Sequence, residues 1–523
     1  MKLQMKKIFA AVLAVAGMMA GGCTDDLNQT PVIETDATKV YSTPDGYLSV
    51  LAKVYGGFIL IGQEKGGGNA DLSSLKGQDL VRCLFNLQEL GTDEAAYRWG
   101  SGDNTDGLSY LSWDANDMWV SDVYYRLYYN IALCNEFLRY CDDGHIGGFA
   151  QADRDNIRQY AEEVRALRAF NYYWVLDLFG QGPYVDENTP STGFTPERYD
   201  ARQLFDYIDS ELSSISLPAS NEYGRLNSYA LAAFKSRLYL NAQAMAGVDR
   251  YSDCIAAAKE VMAGGYSLEQ DRPKVFNGDN HKRTNEIIFS FVVDGNTSMT
   301  WGGTTYLVNG SVANDNDFMK PTDYGIETGW GSFRVKGELV DLFEEGDSRA
   351  TFFSEGQSQY FTGGLEDGTQ GYYSVKFTNL TDDGLPACDP NDGVSTDFPV
   401  FRLPEVILNA AEAVLRGGQG MTRAEAAALV NDIRDRAYGD ESGRIAESQL
   451  TLRFVLDERA RELYHELLRR TDLVRYGLFT SSDYVWQWKG GVLDGRGVDS
   501  RYNHYPIPAS ELTANPNLSN PEY

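Results

Sequence analysis

The strongest constraint on the fold is a helical recurrence of apolar and aromatic side chains that returns in pairs. Between Ala115 and Tyr140 the residues Trp119, Tyr124, Leu127, Tyr128, Ile131 and Leu138 follow helical spacing. Asn156 to Phe179 does the same with Val164, Leu167, Ala169, Phe170, Tyr173 and Leu176. Asp200 to Ile215 and Ser228 to Ala246 form a second pair, and Asp253 to Met262 opens a third after the turn at Gly247. Small residues at Ala230, Ala232, Ala233, Ala242, Ala244 and Ala246 let backbones approach closely. Pairs of this size read as tetratricopeptide-like repeats without the strict 34-residue pattern, and such units bury their apolar faces against neighbours. The class expected is mainly α.

Helical spacing resumes at Leu403 to Leu415, Arg423 to Ala437 and Leu450 to Leu468. Between the two helical blocks the pattern changes. Glu286 to Phe291 and Tyr372 to Phe377 read as short strands set among glycine- and asparagine-rich turns. The expected body is therefore a single unit, 40–523, with a helical scaffold mainly over 115–265 and 400–480. Two loop-rich segments, about 60–115 and 266–400, lie across it. Loops on a rigid frame are where binding residues gather.

The chain begins with Lys2, Lys6 and Lys7, continues through an apolar run from Ile8 to Met19, and presents Ala20, Gly21 and Gly22 before Cys23. This is the layout of an export signal over 1–22, and its apolar core is too short to span a bilayer comfortably. Small residues directly before a cysteine resemble the bacterial lipobox, which implies cleavage before Cys23 and lipid attachment to it. Residues 23–39 then serve as a polar tether. A formal net charge of -29 argues against a nucleic-acid partner, whose phosphates call for a basic surface. Cys83, Cys134, Cys141, Cys254 and Cys388 contain no CxxC pair and cannot all pair with one another; they read as small buried apolar residues, with any single disulfide left open.

Four stretches point to one family. EEVRALRAFNYYWVLDLFGQGPYV, FRLPEVILNAAEAVLRGG, LDERARELYHELLRRTDLVRYGLF and the terminal YNHYPIPASELTANPNLSNPEY each resemble a signature segment of the RagB/SusD family, outer-surface nutrient-binding lipoproteins of Bacteroides and relatives. TTYLVNG and YVWQWKGGVLDG are similar to stretches of the family's starch-binding members. The resemblance implies a SusD-like helical fold with four tetratricopeptide-like helix pairs, no catalysis and an outer-membrane, lipid-anchored position facing the exterior. Its implied partners are an alpha-glucan oligosaccharide, a SusC-like TonB-dependent transporter, other surface glycan-binding lipoproteins and a surface glycosidase.

Sugars offer apolar C–H faces rimmed by hydroxyls, so flat rings stack on the face while polar groups bond the rim. By local alignment with the starch-binding members, three rings of a glucan-binding arc fall on Tyr97, Tyr306 and Trp330, and a binding arginine on Arg82. A binding asparagine falls on Gly102, which leaves the adjoining Asp103 and Asn104 as polar candidates. Whether the linkages are α-1,4 or α-1,6 stays open. Tyr306 could instead be a core or sheet tyrosine, whereas Trp330 lies between two glycines in a loop, where a ring has no packing reason to be. Trp99, Trp486 and Trp488 are expected in the core.

Four histidines without an HExxH motif or a cysteine partner at ligand spacing argue against a zinc reading. Asp279 and Asn280, Asp315 and Asp317, and Asp389, Asn391 and Asp392 sit in oxygen-rich loops outside EF-hand register. No cofactor is required, and the resemblance leaves room for a structural calcium ion without assigning it a site. A glycoside hydrolase would need two carboxylates across the scissile bond. Asp93, Glu94, Asp103 and Glu327 lie near the proposed rings, but with 75 acidic residues such proximity is expected by chance. Glu458, Arg461, Glu462, Glu466, Arg469, Arg470 and Asp472 are spaced for ion pairs along one helix. Leu467, within that stretch, occupies a position where the family commonly has glycine.

Overall fold

A computed structural model describes residues 37–72, 78–190, 193–391 and 393–523. The expected signal, Cys23 and nearly all of the tether lie outside the described residues, as does Asp392. Among the described residues no helix is long and apolar enough to cross a membrane.

The helical frame comprises α1 (Pro44–Gly56), α2 (Leu80–Gln88), α3 (Met118–Arg139), α4 (Gln151–Phe179), α5 (Ala201–Ser214), α6 (Ser228–Ala246) and α7 (Tyr251–Ala263). The inserted segment carries α8 (Gly303–Gly310), and after it come α9 (Leu403–Leu415), α10 (Arg423–Tyr438), α11 (Leu452–Leu463) and α12 (Arg469–Arg475). Local chemistry sets the ends. The Asp117 carboxylate accepts from the amides of Trp119 and Val120 at 2.9 and 3.1 Å and so starts α3. Reciprocal capping boxes, Asp200 with Gln203 and Thr422 with Glu425, start α5 and α10. Gly180 and Gly247 close α4 and α6 at φ +63 and +68, a conformation that costs glycine little.

Sequence neighbours pack on each other, α3 on α4 and α6 on α7, and the frame then closes across the insertion because α9 packs on both α6 and α7. Among the described residues eight short strands pair two by two, all antiparallel: β1 (Ala96–Tyr97) with β5 (Phe333–Arg334), β2 (Gln181–Pro183) with β3 (Arg198–Asp200), β4 (Ile287–Phe291) with β8 (Phe398–Arg402), and β6 (Phe352–Phe353) with β7 (Tyr373–Ser374). The β4–β8 pair fastens the two ends of the inserted segment together at the base of α9. Its Phe401 packs on Phe170 of α4, which in turn meets Phe234 of α6 edge-on at 5.2 Å. The β1–β5 pair sets Tyr97 opposite Phe333 and thereby brings the two loop-rich segments side by side.

Three sequence expectations change. The 60–115 segment holds α2, whose residues are buried except Arg82, so it carries core as well as loop. The alternating TTYLVNG patch is helical rather than a sheet edge. The helix expected over Leu450 to Leu468 stops at Leu463, and His465 and Leu467 adopt φ of +61 and +66. That left-handed turn aims the amides of His465 and Leu467 at the buried carboxylates of Glu94 (3.0 Å) and Glu89 (2.8 Å). Glycine is the cheap residue for such a backbone, so Leu467 bears local strain that its burial offsets.

The charged run is accordingly a buried three-dimensional network and not a one-helix ladder. Glu462 meets Arg402 and Arg436 at 2.6 Å each, Glu466 meets Arg402 and Lys376, Arg469 meets Asp93, and Arg470 meets Asp177. Surrounding guanidinium groups hold the Glu462 carboxyl well below the usual range despite its burial. All five cysteines among the described residues are free.

Candidate glycan-binding face

The face is built from α2 outward. Asp79 caps this helix through the Arg82 amide at 3.0 Å, and the same oxygen accepts the Gly303 amide at 3.1 Å. A Cβ on Gly302 would come 1.4 Å from the Asp79 carboxylate, so only glycine lets the start of α8 sit there. Arg82 reaches back across this junction, donating to the Trp301 carbonyl at 2.9 Å with its guanidinium 4.5 Å over the Tyr306 ring. Trp301 is thus held from below by its own backbone. Its indole is 45% exposed.

Trp330 follows from the adjoining loop, where its amide donates to Asn309 O at 2.6 Å. A Cβ on Gly329 would meet the Val312 carbonyl at 2.2 Å, and Gly331 has φ +56, so both flanking glycines are required by close approach or conformation. The half-buried Trp330 ring stands 6.3 Å from that of Trp301, inclined by 53°. Trp99 completes the group: its indole nitrogen donates to Trp330 O at 3.2 Å, Arg98 lies 4.4 Å over its ring, and it is 44% exposed. Three indoles from two distant segments therefore gather on one side of the molecule, and the planes of Trp301 and Trp330 are not parallel. Such a surface can stack successive pyranose faces of a chain that curves.

The residues expected from the sequence divide. Trp330 lies on this face, and Arg82 lies beneath it as a support for Trp301. Asn104 is exposed at φ +60 just after Asp103, whose carboxylate takes the Tyr97 hydroxyl. Tyr306 and Tyr97 are a correction. Tyr306 is 0% exposed, packs edge-on against Phe85 at 5.6 Å and gives its hydroxyl to Asn86 at 2.9 Å. Tyr97 is buried in the β1–β5 pair. Neither ring has a face open to a sugar, because both fill the core that holds the indoles in place. Trp99 is corrected in the opposite direction, from core to face, whereas Trp486 is buried. Trp301 is the residue that sequence reasoning missed. A signal was available: of the eight tryptophans, Trp99, Trp301 and Trp330 are the three with glycine as an immediate neighbour.

Of the four acids considered for hydrolysis, Glu327 is exposed and the other three are engaged elsewhere. Asp93 and Glu94 are buried, with Asp93 bound to Arg469 at 2.6 Å, and Asp103 is engaged by Tyr97. Of the oxygen-rich loops, Asp279 pairs with Lys282 at 2.9 Å and Asp315 with Arg98 at 2.7 Å. Among the described residues no three metal-ligating side chains converge.

Comparison with known proteins agrees with the architecture. A profile of the SusD family matches residues 354–523. The starch-binding protein SusD of Bacteroides thetaiotaomicron is 31% identical, over 99% of this chain and 98% of that protein. A SusD superfamily protein from Parabacteroides distasonis superposes with a TM-score of 0.71 at 22% identity, covering 92% of this chain and 99% of that one. The surface glycan-binding protein A of Bacteroides thetaiotaomicron, in complex with laminarihexaose, does so with a TM-score of 0.68 at 19% identity, covering 92% and 99%. The chain belongs to the RagB/SusD family of non-catalytic, glycan-binding outer-membrane lipoproteins.

Proposed function

We propose that this protein captures a neutral glucan on the Trp99–Trp301–Trp330 face and passes it to a transporter of the SusC type that the family serves. The observation that carries the reading is the grouping of the exposed Trp99 and Trp301 with the half-buried Trp330, the last two inclined to each other and 6.3 Å apart. Stacked rings grip apolar sugar faces without activating a bond. Capture without cleavage is what an uptake partner needs from a surface binder. Other surface glycan-binding lipoproteins and a surface glycosidase would supply chains of suitable length. The lipid anchor would be Cys23, and a structural calcium ion remains compatible with the loops without a site assigned to it.

Linkage is the finer question. An α-glucan, either α-1,4 or α-1,6, is supported by the likeness to the starch-binding relative. A β-1,3-glucan is the second reading, favoured by the fold neighbour bound to laminarihexaose. It is favoured too by the burial of Tyr306 and Tyr97, two of the three rings expected for a starch-like arc. Both α-1,4 and β-1,3 chains curve, as the inclined rings require. Calorimetry with maltoheptaose, isomaltoheptaose, laminarihexaose and cellohexaose discriminates the readings. Binding to a curved glucan that Trp301→Ala abolishes supports the proposal, whereas reducing-sugar release, or equal binding by the variant, overturns it.

A further inference from the structure

A second cavity adjoins the indole face on the far side of Arg98. It encloses about 420 Å³ between the loop around Asp315–Phe318 and the turns at Gly356 and Glu366–Thr369, a size at the lower end of ordinary ligand pockets, roughly 300–1,000 Å³. Arg98 is the shared wall. Its guanidinium covers Trp99, pairs with Asp315 at 2.7 Å and donates to Glu366 O at 3.3 Å. A Cβ on Gly368 would come 2.4 Å from the guanidinium carbon, and one on Gly331, next to Trp330, 3.5 Å from its nitrogen. Platform and cavity are therefore contiguous.

At the rim of this cavity Phe318 is 60% exposed, the most exposed aromatic side chain among the described residues. A lone exposed ring on an open surface carries no meaning, but this one is seated. The Phe318 amide donates to Asn316 Oδ1 at 2.8 Å, and Asn316 Nδ2 donates to Glu355 O at 3.0 Å, tying one loop to the other. The turn beneath has Gly356 at φ +74, where a Cβ would press within 3.0 Å of the ring. The lining also carries four acids, Asp315, Asp317, Glu366 and Asp367, set against Arg98 and beside the neutral Gln357 and Thr369. Carboxylates accept hydrogen bonds from sugar hydroxyls and repel uronates and sulfated sugars. Among the described residues no three of them converge as a cation site would require.

We infer that this cavity is a second carbohydrate subsite, continuous with the indole face through Arg98, that takes the further residues or a branch of a neutral glucan with Phe318 as its stacking ring. The inference rests on the glucan reading of the indole face. It makes chain length a determinant of affinity and excludes acidic polysaccharides.

The test is calorimetric titration of the full mature protein with tri- and heptasaccharides of the maltose and laminaribiose series, alongside Phe318→Ala, Phe318→Trp and Trp301→Ala. In the series that binds, Phe318→Ala should lose about tenfold in heptasaccharide affinity while trisaccharide affinity stays as in the parent, and Phe318→Trp should restore the heptasaccharide. Trp301→Ala should lose both. Heptasaccharide affinity unchanged in Phe318→Ala overturns the subsite and leaves the indole face standing. A parent protein that binds neither of these series nor isomaltoheptaose overturns the functional reading and the subsite with it.

Discussion

The guanidinium of Arg82 donates a 2.9 Å hydrogen bond to the carbonyl oxygen of Trp301 while lying 4.5 Å over the ring of Tyr306. One side chain thus links a buried ring to the backbone of an exposed one. Arg82 should act on ligand through Trp301. Arg82→Met keeps much of the aliphatic packing and removes the donor, so it is expected to weaken glucan binding several-fold and to shift tryptophan emission before any sugar is added. Unchanged emission with lost affinity would assign Arg82 to direct contact instead.

Trp301→Ala and Tyr306→Phe should separate recognition from folding. A base stacked on an aromatic ring is worth about 1–3 kcal/mol, and a pyranose on the Trp301 indole is the analogous contact, so Trp301→Ala should lose roughly ten- to a hundredfold in affinity and melt like the parent. Trp330→Ala should behave similarly. Tyr306→Phe deletes the hydroxyl donated to Asn86 and should cost about 1 kcal/mol of stability, with affinity unchanged. Urea titration and calorimetry on the same preparations check both.

Glu462 is the anionic centre for Arg402 and Arg436 inside the protein. Removing one partner of a buried ion pair leaves the other charge uncompensated, at a cost of about 3–5 kcal/mol. Glu462→Gln should therefore lower the urea midpoint strongly, far more than loss of the exposed i,i+4 pair in Arg202→Ala, which should change it by less than about 1 kcal/mol.

Acid should unfold the protein in two stages. Burial pushes the His465 imidazole down from 6.5 to about 3, so the unfolded chain takes a proton that the native state refuses. Stability then falls as pH drops below about 6.5, and continues to fall until about 3. Arginines around Glu458 hold its carboxyl at about 2 against 4.5, so its contribution is present above 4.5 and lost as pH falls toward 2. His465→Gln should make the upper stage of the urea-midpoint profile shallower, the remaining slope coming from His504, whose imidazole burial pushes down to about 4, and leave the lower one. A parallel slope in the variant between pH 6.5 and 5 would show that His465 does not titrate this way.

The helices were legible because their periodicity is local. α9 falls on the expected residues, and α6 keeps both its ends because Asn227 and Gly247 stop the pattern chemically. The end of α11 was not legible, since the turn at His465 and Leu467 is held by Glu94 and Glu89, more than 370 residues away in sequence. The same holds for the charged run from Glu458 to Asp472, whose local spacing suggests helix ladders while its partners arrive from β8, α10 and the 89–94 loop.

Sequence alone determined that this chain is a helical frame with loop insertions, of one family, carrying aromatic rings and far too much negative charge for nucleic acid. It could place a ring at Trp330 because two flanking glycines leave that side chain without a local packing role. Which rings face solvent was decided only in three dimensions. Tyr306 and Trp301 lie five residues apart, yet one fills the core under Arg82 and the other stands over it, because exposure depends on what the β1–β5 pairing and the Asp79–Gly303 contact bring alongside.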